Sequence, residues 1–195
     1  MESNLKPSVV MSVLKDTEEG VYDFSHPLQR QEGQWTRYLQ SLEIDSLLRG
    51  WSINLIYVWK KGNKKYVIEG KQRITNLLSY KNDKFSLSKK LKPVEINGTV
   101  YEIAGKKFSK LDEAVQYKLL NAEMHFFVMS ECTEEEVREM FIRLNSGKPL
   151  NRAQKLVGIM DYSVSESLQK IMQQKPGLRP GILKPTISEK WPARY

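Results

Sequence analysis

The sequence predicts an α+β fold: a small mixed sheet packed with helices, as a single domain with a C-terminal helical extension. Three observations carry that prediction. Runs of β-branched and aromatic residues are short, as at 53–59 and 124–129. Elsewhere apolar residues recur at threes and fours, as in Val137, Met140, Phe141 and Leu144. The two patterns intermix along the chain with no internal repeat, which sets helices and strands around one sheet. At 195 residues, 40% hydrophobic and 28% charged, the chain is long enough to bury a core without covalent staples.

Residues 1–20 read as an N-terminal arm, with Pro7 and an acidic stretch at 16–19. The next stretch, VYDFSHPLQRQEGQW, has no period and reads as an ordered loop with a short strand at 21–24. From Trp35 a helix is expected, burying Tyr38, Leu39, Leu42, Leu47 and Leu48, with Gly50 as its stop. Residues 53–59 and 65–68 read as two strands joined by the turn KKGNKK, hence a hairpin. A helix from Lys71 points Ile74, Leu77 and Leu78 inward. Asn97-Gly98 lies between alternating segments and suits a type I′ turn. A helix after Ser109 is expected to bury Leu111, Ala114, Val115 and Leu119, and residues 124–129 form a buried strand.

Thr133 and Glu136 have the spacing of a capping box, and the acids at 134–136 suit the positive end of a helix. That helix buries its 137, 140, 141, 144 stripe and stops at Asn145-Ser146-Gly147. Asn151 is placed to cap a further helix through Leu156 and Met160, and 165–174 reads as one more. The tail carries Pro176, Pro180, Pro185 and Pro192 and is expected to be extended or disordered unless it docks. The expected division is an arm at 1–20, a domain at 21–160, and a C-terminal helix with a proline-containing tail at 161–195.

Cys132 is the single cysteine, which excludes an intramolecular disulfide and fits a cytoplasmic protein. With only His26 and His125 beside it, a Cys/His zinc site is excluded as well. The N-terminus lacks the continuous apolar run of a secretory leader, and no apolar stretch reaches membrane-span length. The formal charge of +8 favours anionic partners, and lysines pair at 60–61, 64–65, 89–90 and 106–107. Such lysines either hold nucleic acid or only keep the chain soluble. Trp51 and Trp59 are expected to pack the sheet, Met124, Met129 and Met140 the core. His26 reads as a loop hydrogen-bonder and His125 as a satisfied strand residue. Cys132 precedes a helix start and reads as inert.

The stretch YVIEGKQRITNLLSY carries the chemistry. It runs from an apolar strand through Glu69 and Gly70 into Lys71-Gln72-Arg73 and a helix. A helix N-terminus exposes unpaired N–H groups at the positive end of its dipole, and a glycine before it lets a ligand approach closely. Arg73 can fork onto phosphate oxygens, Lys71 adds a point charge, and Gln72 can donate to phosphate. Glu69 can hold Mg²⁺, orient a water or accept from a ribose hydroxyl. The plainer reading is that Glu69 and Arg73 pair across the turn and Gly70 only permits the bend. By spacing alone, the plainer reading is favoured.

Other segments shift that balance. HPLQRQEGQW, IDSLLRGWSINLIYV, YVIEGKQRITNLLSY, KPVEINGTVYEIAGKKFSKL and EEEVREMFIRLNSGKPLNRAQKL follow in order over about residues 22–157. Together they resemble the N-terminal NTPase-domain family of GmrSD-type, modification-dependent (type IV) restriction endonucleases. That family's D-G-Q-Q-R signature reads Glu69-Gly70-Lys71-Gln72-Arg73 here, with a longer acid and Lys for the first Gln. The turn is also similar to the G-x-x-R of the ParB/sulfiredoxin superfamily.

The resemblance implies a ParB-like fold, binding of a nucleoside triphosphate with Mg²⁺, and a context in restriction and phage defence. It assigns nucleotide binding to Gln29, Arg30, Gly70, Lys71, Gln72, Arg73, Arg143 and Asn145. It assigns catalysis to Glu69 and Arg73, and metal to Glu69. Gln29-Arg30 matches the family's early Q-R, and Phe141 to Asn145 with Gly147 and Pro149 matches its F-x-R-L-N-x-G-x-P segment. At a helix end, Arg143 can equally satisfy the negative helix terminus, and Asn145 can be a cap.

In such systems a separate HNH-type nuclease cuts. Two histidines far apart in sequence do not supply that chemistry, so no cleavage by this polypeptide alone is expected. A nuclease or other defence protein would be the partner. The alternative is a non-catalytic DNA- or protein-binding regulator on the same fold. A sulfiredoxin-like transfer would need a cysteine at the turn, where Lys71 or Gln72 stands.

Overall fold

The computed structural model describes residues 2–26 and 35–145. A five-stranded mixed sheet runs in the order β1-β7-β3-β4-β2. Its strands are β1 (Glu2–Val9), β2 (Tyr22–Asp23), β3 (Ile56–Lys61), β4 (Lys64–Glu69) and β7 (Glu123–Ser130). β5 (Val94–Ile96) and β6 (Thr99–Tyr101) form a separate two-stranded hairpin. The helices are α1 (Val10–Glu18), α2 (Arg37–Leu48), α3 (Lys71–Lys81), α4 (Glu113–Leu120) and α5 (Glu134–Asn145). The α+β class is the one the patterning predicts.

Strand alternation divides the core in two. One sheet face carries Ile56, Val58, Val67, Met124 and Phe126, and buries them against Val13, Ile44, Ile74, Leu77 and Val115 of α1–α4. The other carries Trp59, Ile68 and Met129, covered by Val137 and Phe141 of α5. The 137/141 stripe therefore docks as its spacing predicts, behind a formed capping box. Thr133 N–H donates to Glu136 Oε2 at 2.7 Å, and Glu136 N–H donates to Thr133 Oγ1 at 3.2 Å. Asn97 and Gly98 both have positive φ, 52° and 78°, as a type I′ turn requires.

The segment expected to be an arm is instead β1 and α1. β1 pairs antiparallel with β7 along its whole length, and Val10, Val13 and Leu14 enter the core. β1 is an edge strand with exposed residues on both faces, so it lacks the alternation that marks a half-buried strand. Pro7 is tolerated there because an edge strand needs no partner for every N–H. Acids at 16–19 sit at the unfavourable end of α1 and hid the short 10, 13, 14 stripe.

Smaller differences have similar causes. Tyr38 and Leu39 are exposed rather than buried, and Trp51 stands 62% exposed instead of packing the sheet. Trp59 does pack, in the cluster under α5. α4 starts at Glu113, after a single 3₁₀ turn at Phe108–Lys110, and leaves Ala114 exposed. The helices expected beyond Asn151 and the proline-containing tail lie outside the described residues.

Candidate functional site: a cleft at one end of the sheet

β3 and β7 begin, and β4 ends, at the same end of the sheet. There a cleft of about 610 Å³ is lined by Ser52, Ile53, Asn54, Leu55, Tyr57, Glu69, Arg73, His125 and Leu144. The size is that of an ordinary small-molecule site. The hairpin register helps to build it. Val58 pairs with Val67, yet Tyr57 pairs with Glu69, so the register slips by one residue at Ile68. Without that slip Tyr57 would oppose Ile68. The bulge sets Glu69 opposite Tyr57, at the cleft.

Glu69 and Arg73 meet as the turn predicts. Arg73 Nη2 lies 3.8 Å from Glu69 Oε1, and Arg73 Nη1 donates to the Leu55 carbonyl at 3.3 Å. Arg73 is a buried residue with little of its guanidinium exposed. Gly70 is the N-cap of α3 at φ 105°. A Cβ there would stand 2.8 Å from Ile56 Cγ1 and 3.1 Å from Arg73 Nη1. The glycine is therefore required by its backbone angle and by its neighbours. Its Cα side is filled by Ile56 and Arg73 and is not open to a ligand.

Lys71 diverges from the cleft. Its Nζ donates to the Phe24 carbonyl at 3.4 Å and lies 6.0 Å from the Phe24 ring. It thus faces the segment that leads towards Gln29 and Arg30, which themselves lie outside the described residues. Gln72 has a buried Nε2 with no acceptor among the described residues. Arg143 is exposed in the last turn of α5 and pairs with Glu139, while its neighbour Leu144 lines the cleft. Asn145 is the last residue of α5; its side chain lies outside the description.

Behind Arg73 lies a polar contact between helices that the sequence did not disclose. Asn76 Nδ2 donates to Glu43 Oε2 at 2.7 Å and to the Gln40 carbonyl at 3.0 Å. Burial pushes the Glu43 carboxyl up to about 8, against the pull of Asn76 and Arg73. At neutral pH Glu43 is thus largely uncharged, and Glu69 is the carboxylate that pairs with Arg73.

His125 was expected to be a satisfied strand residue, and it does pair with Glu123 Oε1 at 2.9 Å. It also lines the cleft, as does Tyr57. One local signal marks this: His125 alternates with Met124 and Phe126, so it faces away from their core. His26 is buried edge-on to Trp59 and Tyr66, and burial pushes its imidazole down to about 4. It is therefore neutral near pH 7. Burial and Glu136 raise the Cys132 thiol, which suits an inert residue.

A larger concavity, about 770 Å³, runs along the sheet face that carries Val58, Phe126 and Val128, with Lys6, Lys60 and Lys65 in its walls. None of the residues assigned to nucleotide, metal or catalysis lines it, though Lys60 and Lys65 of the lysine pairs do. No group of three or more His, Cys, Asp or Glu able to hold a metal occurs among the described residues. No helix of the described residues is long and apolar enough to cross a membrane. Comparison with family models, curated proteins and solved structures returned no match.

Proposed function

We propose that the chain is a nucleoside-triphosphate-binding module of a restriction or defence system, on a ParB/sulfiredoxin-like fold and without its own nuclease. The observation that carries this reading is the placing of the Glu69–Arg73 pair in the wall of an open cleft at a helix N-terminus. A guanidinium there binds an anion in a fork geometry, and its charge is only partly met by a carboxylate 3.8 Å away. The Gln72 donor in the same turn, without an acceptor among the described residues, supports the reading, because a buried donor without an acceptor is costly. Tyr57, Ile53, Leu55 and Leu144 give the cleft an apolar side for a base.

Among the described residues Glu69 is the one carboxylate lining the cleft, which fits a magnesium ion arriving with the triphosphate, since magnesium takes one or two carboxylates plus phosphates. When bound, that ion would neutralise phosphate charge. Arg73 would hold the phosphates, and Glu69 would release Arg73 to them as the ion arrives. Hydrolysis, in a cytoplasmic setting and coupled to a separate HNH-type nuclease or other defence protein, would follow binding.

Calorimetric titration with ATP, GTP, CTP and UTP plus Mg²⁺ tests this on the native chain and on Arg73→Gln. The expected result is preference for one nucleotide and a loss of at least about tenfold in affinity in the variant. Absence of binding to all four overturns the reading. The second reading, a non-catalytic DNA- or protein-binding regulator, is favoured by the +8 charge. DNA binding weakens steeply with salt, whereas a nucleotide pocket discriminates among bases.

A further inference from the structure

The positive charge is unevenly spread. Residues 81–110 carry eight lysines against three carboxylates, which places most of the chain's excess charge in this one segment. Part of it forms a strap along α2. Ser88 N–H donates to Ser41 Oγ at 2.9 Å, and Arg49 Nη2 donates to the Lys92 and Pro93 carbonyls at 3.2 and 3.1 Å. Between those clips the strap presents Lys89, Lys90 and Lys92, all exposed. Leu91 N–H donates to the Ser88 carbonyl at 3.2 Å, so the strap opens on a tight turn that carries Lys89 and Lys90 before it runs on to Lys92.

An exposed aromatic ring stands at each end of the strap. Tyr38, 44% exposed, has Lys90 Nζ over its ring at 5.9 Å. Trp51, 62% exposed, has the Arg49 guanidinium 5.6 Å from its ring. Arg49 is itself committed: its Nε pairs with Asp45 Oδ2 at 2.9 Å. No carboxylate pairs with Lys89, Lys90 or Lys92 among the described residues. Lys61 and Lys64 do pair, with Glu134 and Asp23, whereas Lys84, Lys107 and Lys110 of the same basic segment are likewise without an ion pair among the described residues. Solvent-facing lysines beside two exposed rings combine a positive surface with stacking faces, which suits an anionic partner that carries aromatic groups.

We propose that this surface binds single-stranded nucleic acid. Lys89, Lys90 and Lys92 contact successive backbone phosphates, and Trp51 and Tyr38 stack bases. Arg49 is a positioning residue that fastens the Trp51 corner to the strap. A single strand is favoured over a duplex because the rings need unstacked bases. The surface uses none of the cleft residues and does not depend on the nucleotide reading. Only the loop at 50–55 is shared, with Trp51 on this surface and Ser52 to Leu55 on the cleft.

The test is fluorescence anisotropy with a labelled oligothymidine of about 20 nucleotides at about 50 mM salt. The native chain is expected to bind, with affinity falling steeply as salt rises. Trp51→Ala is expected to weaken binding about tenfold, and Trp51→Phe to restore most of it, which separates lost stacking from a disturbed corner. The double variant Lys89→Glu with Lys90→Glu is expected to lose more than about tenfold and to flatten the salt dependence. Lys60→Glu with Lys65→Glu, at the larger concavity, is expected to stay within about twofold of the native affinity, as an unspecific charge effect would not. Melting curves establish that each variant is folded. The proposal is overturned if the native chain does not bind, or if folded strap variants bind like it. It is also overturned if duplex binds as tightly as single strand, or if phosphatidylserine vesicles are bound and the oligonucleotide is not.

Discussion

Glu69 and Arg73 pair at 3.8 Å across the glycine that joins β4 to α3. The pair explains the glycine. Arg73 folds its guanidinium back over the turn, so that Nη1 lies 3.1 Å from where a Cβ of residue 70 would be. Ile56 closes the same space from β3. The two readings of this turn thus coexist. The residues do pair and the glycine does permit the bend, and the pair still faces a cleft that can hold an anion.

Gly70→Ala is expected to destabilise the fold by about 2–4 kcal/mol, since it combines a strained positive φ with overpacking. Urea unfolding measures it. The variant Ile56→Ala relieves the clash, so the double variant is expected to lose less than the sum of the singles. Strict additivity would show that Ile56 does not set the requirement for glycine.

Stability should depend on pH through two buried groups of opposite sign. Burial raises Glu43 from 4.5 to about 8, so between those values the folded chain holds a proton that the unfolded chain has released. That contribution is full on the acid side and fades as pH rises through 8. Burial lowers His26 from 6.5 to about 4, so the unfolded chain holds the extra proton there and stability grows with pH up to 6.5. The two slopes oppose each other between 4.5 and 6.5. Between 6.5 and about 8 only Glu43 of these groups titrates, and stability is expected to fall by up to about 1.4 kcal/mol per pH unit. Asp23, Asp83, Asp112 and Glu136 are all held below the usual carboxylate range and act only in more acid solution. Glu43→Gln should abolish the fall above 6.5; a native chain equally stable on either side of that window would contradict the assignment.

The N-terminal segment is structural. Val13 is fully buried in the main core, and β1 pairs with β7 through eight residue pairs. Val13→Ala is expected to cost about 2–3 kcal/mol by urea unfolding. A loss within about 0.5 kcal/mol, the usual range for a surface change, would mean that this segment is the arm its sequence suggests.

What the sequence disclosed follows from where each signal lies. Val137 and Phe141, the capping box and the Asn97-Gly98 turn are local patterns, and local patterns are legible. The Glu69–Arg73 pairing was legible for the same reason, being one helical turn long. β1 was not, because an exposed edge strand buries neither face and leaves no alternation. Trp51 was misread because aromatic residues usually signal core, and nothing local says that Arg49 clips this corner outward. The cleft was only half legible. His125 and Tyr57 reach Glu69 through the pairing of three strands and a one-residue bulge, and neither the pairing nor the bulge is marked in the sequence. The Asn76–Glu43 contact is likewise a product of helix packing.

The central claim is that a nucleotide occupies the cleft between the loop at 52–55 and the turn at 69–73. Hydrogen exchange with and without saturating Mg–nucleotide, read by mass spectrometry on the native chain, tests that location directly. The account predicts slowed exchange in peptides covering 52–57 and 69–74, and much weaker protection in Arg73→Gln at a nucleotide concentration near the native Kd. Protection confined to other segments, or none at all with the nucleotide shown to be bound, would contradict it.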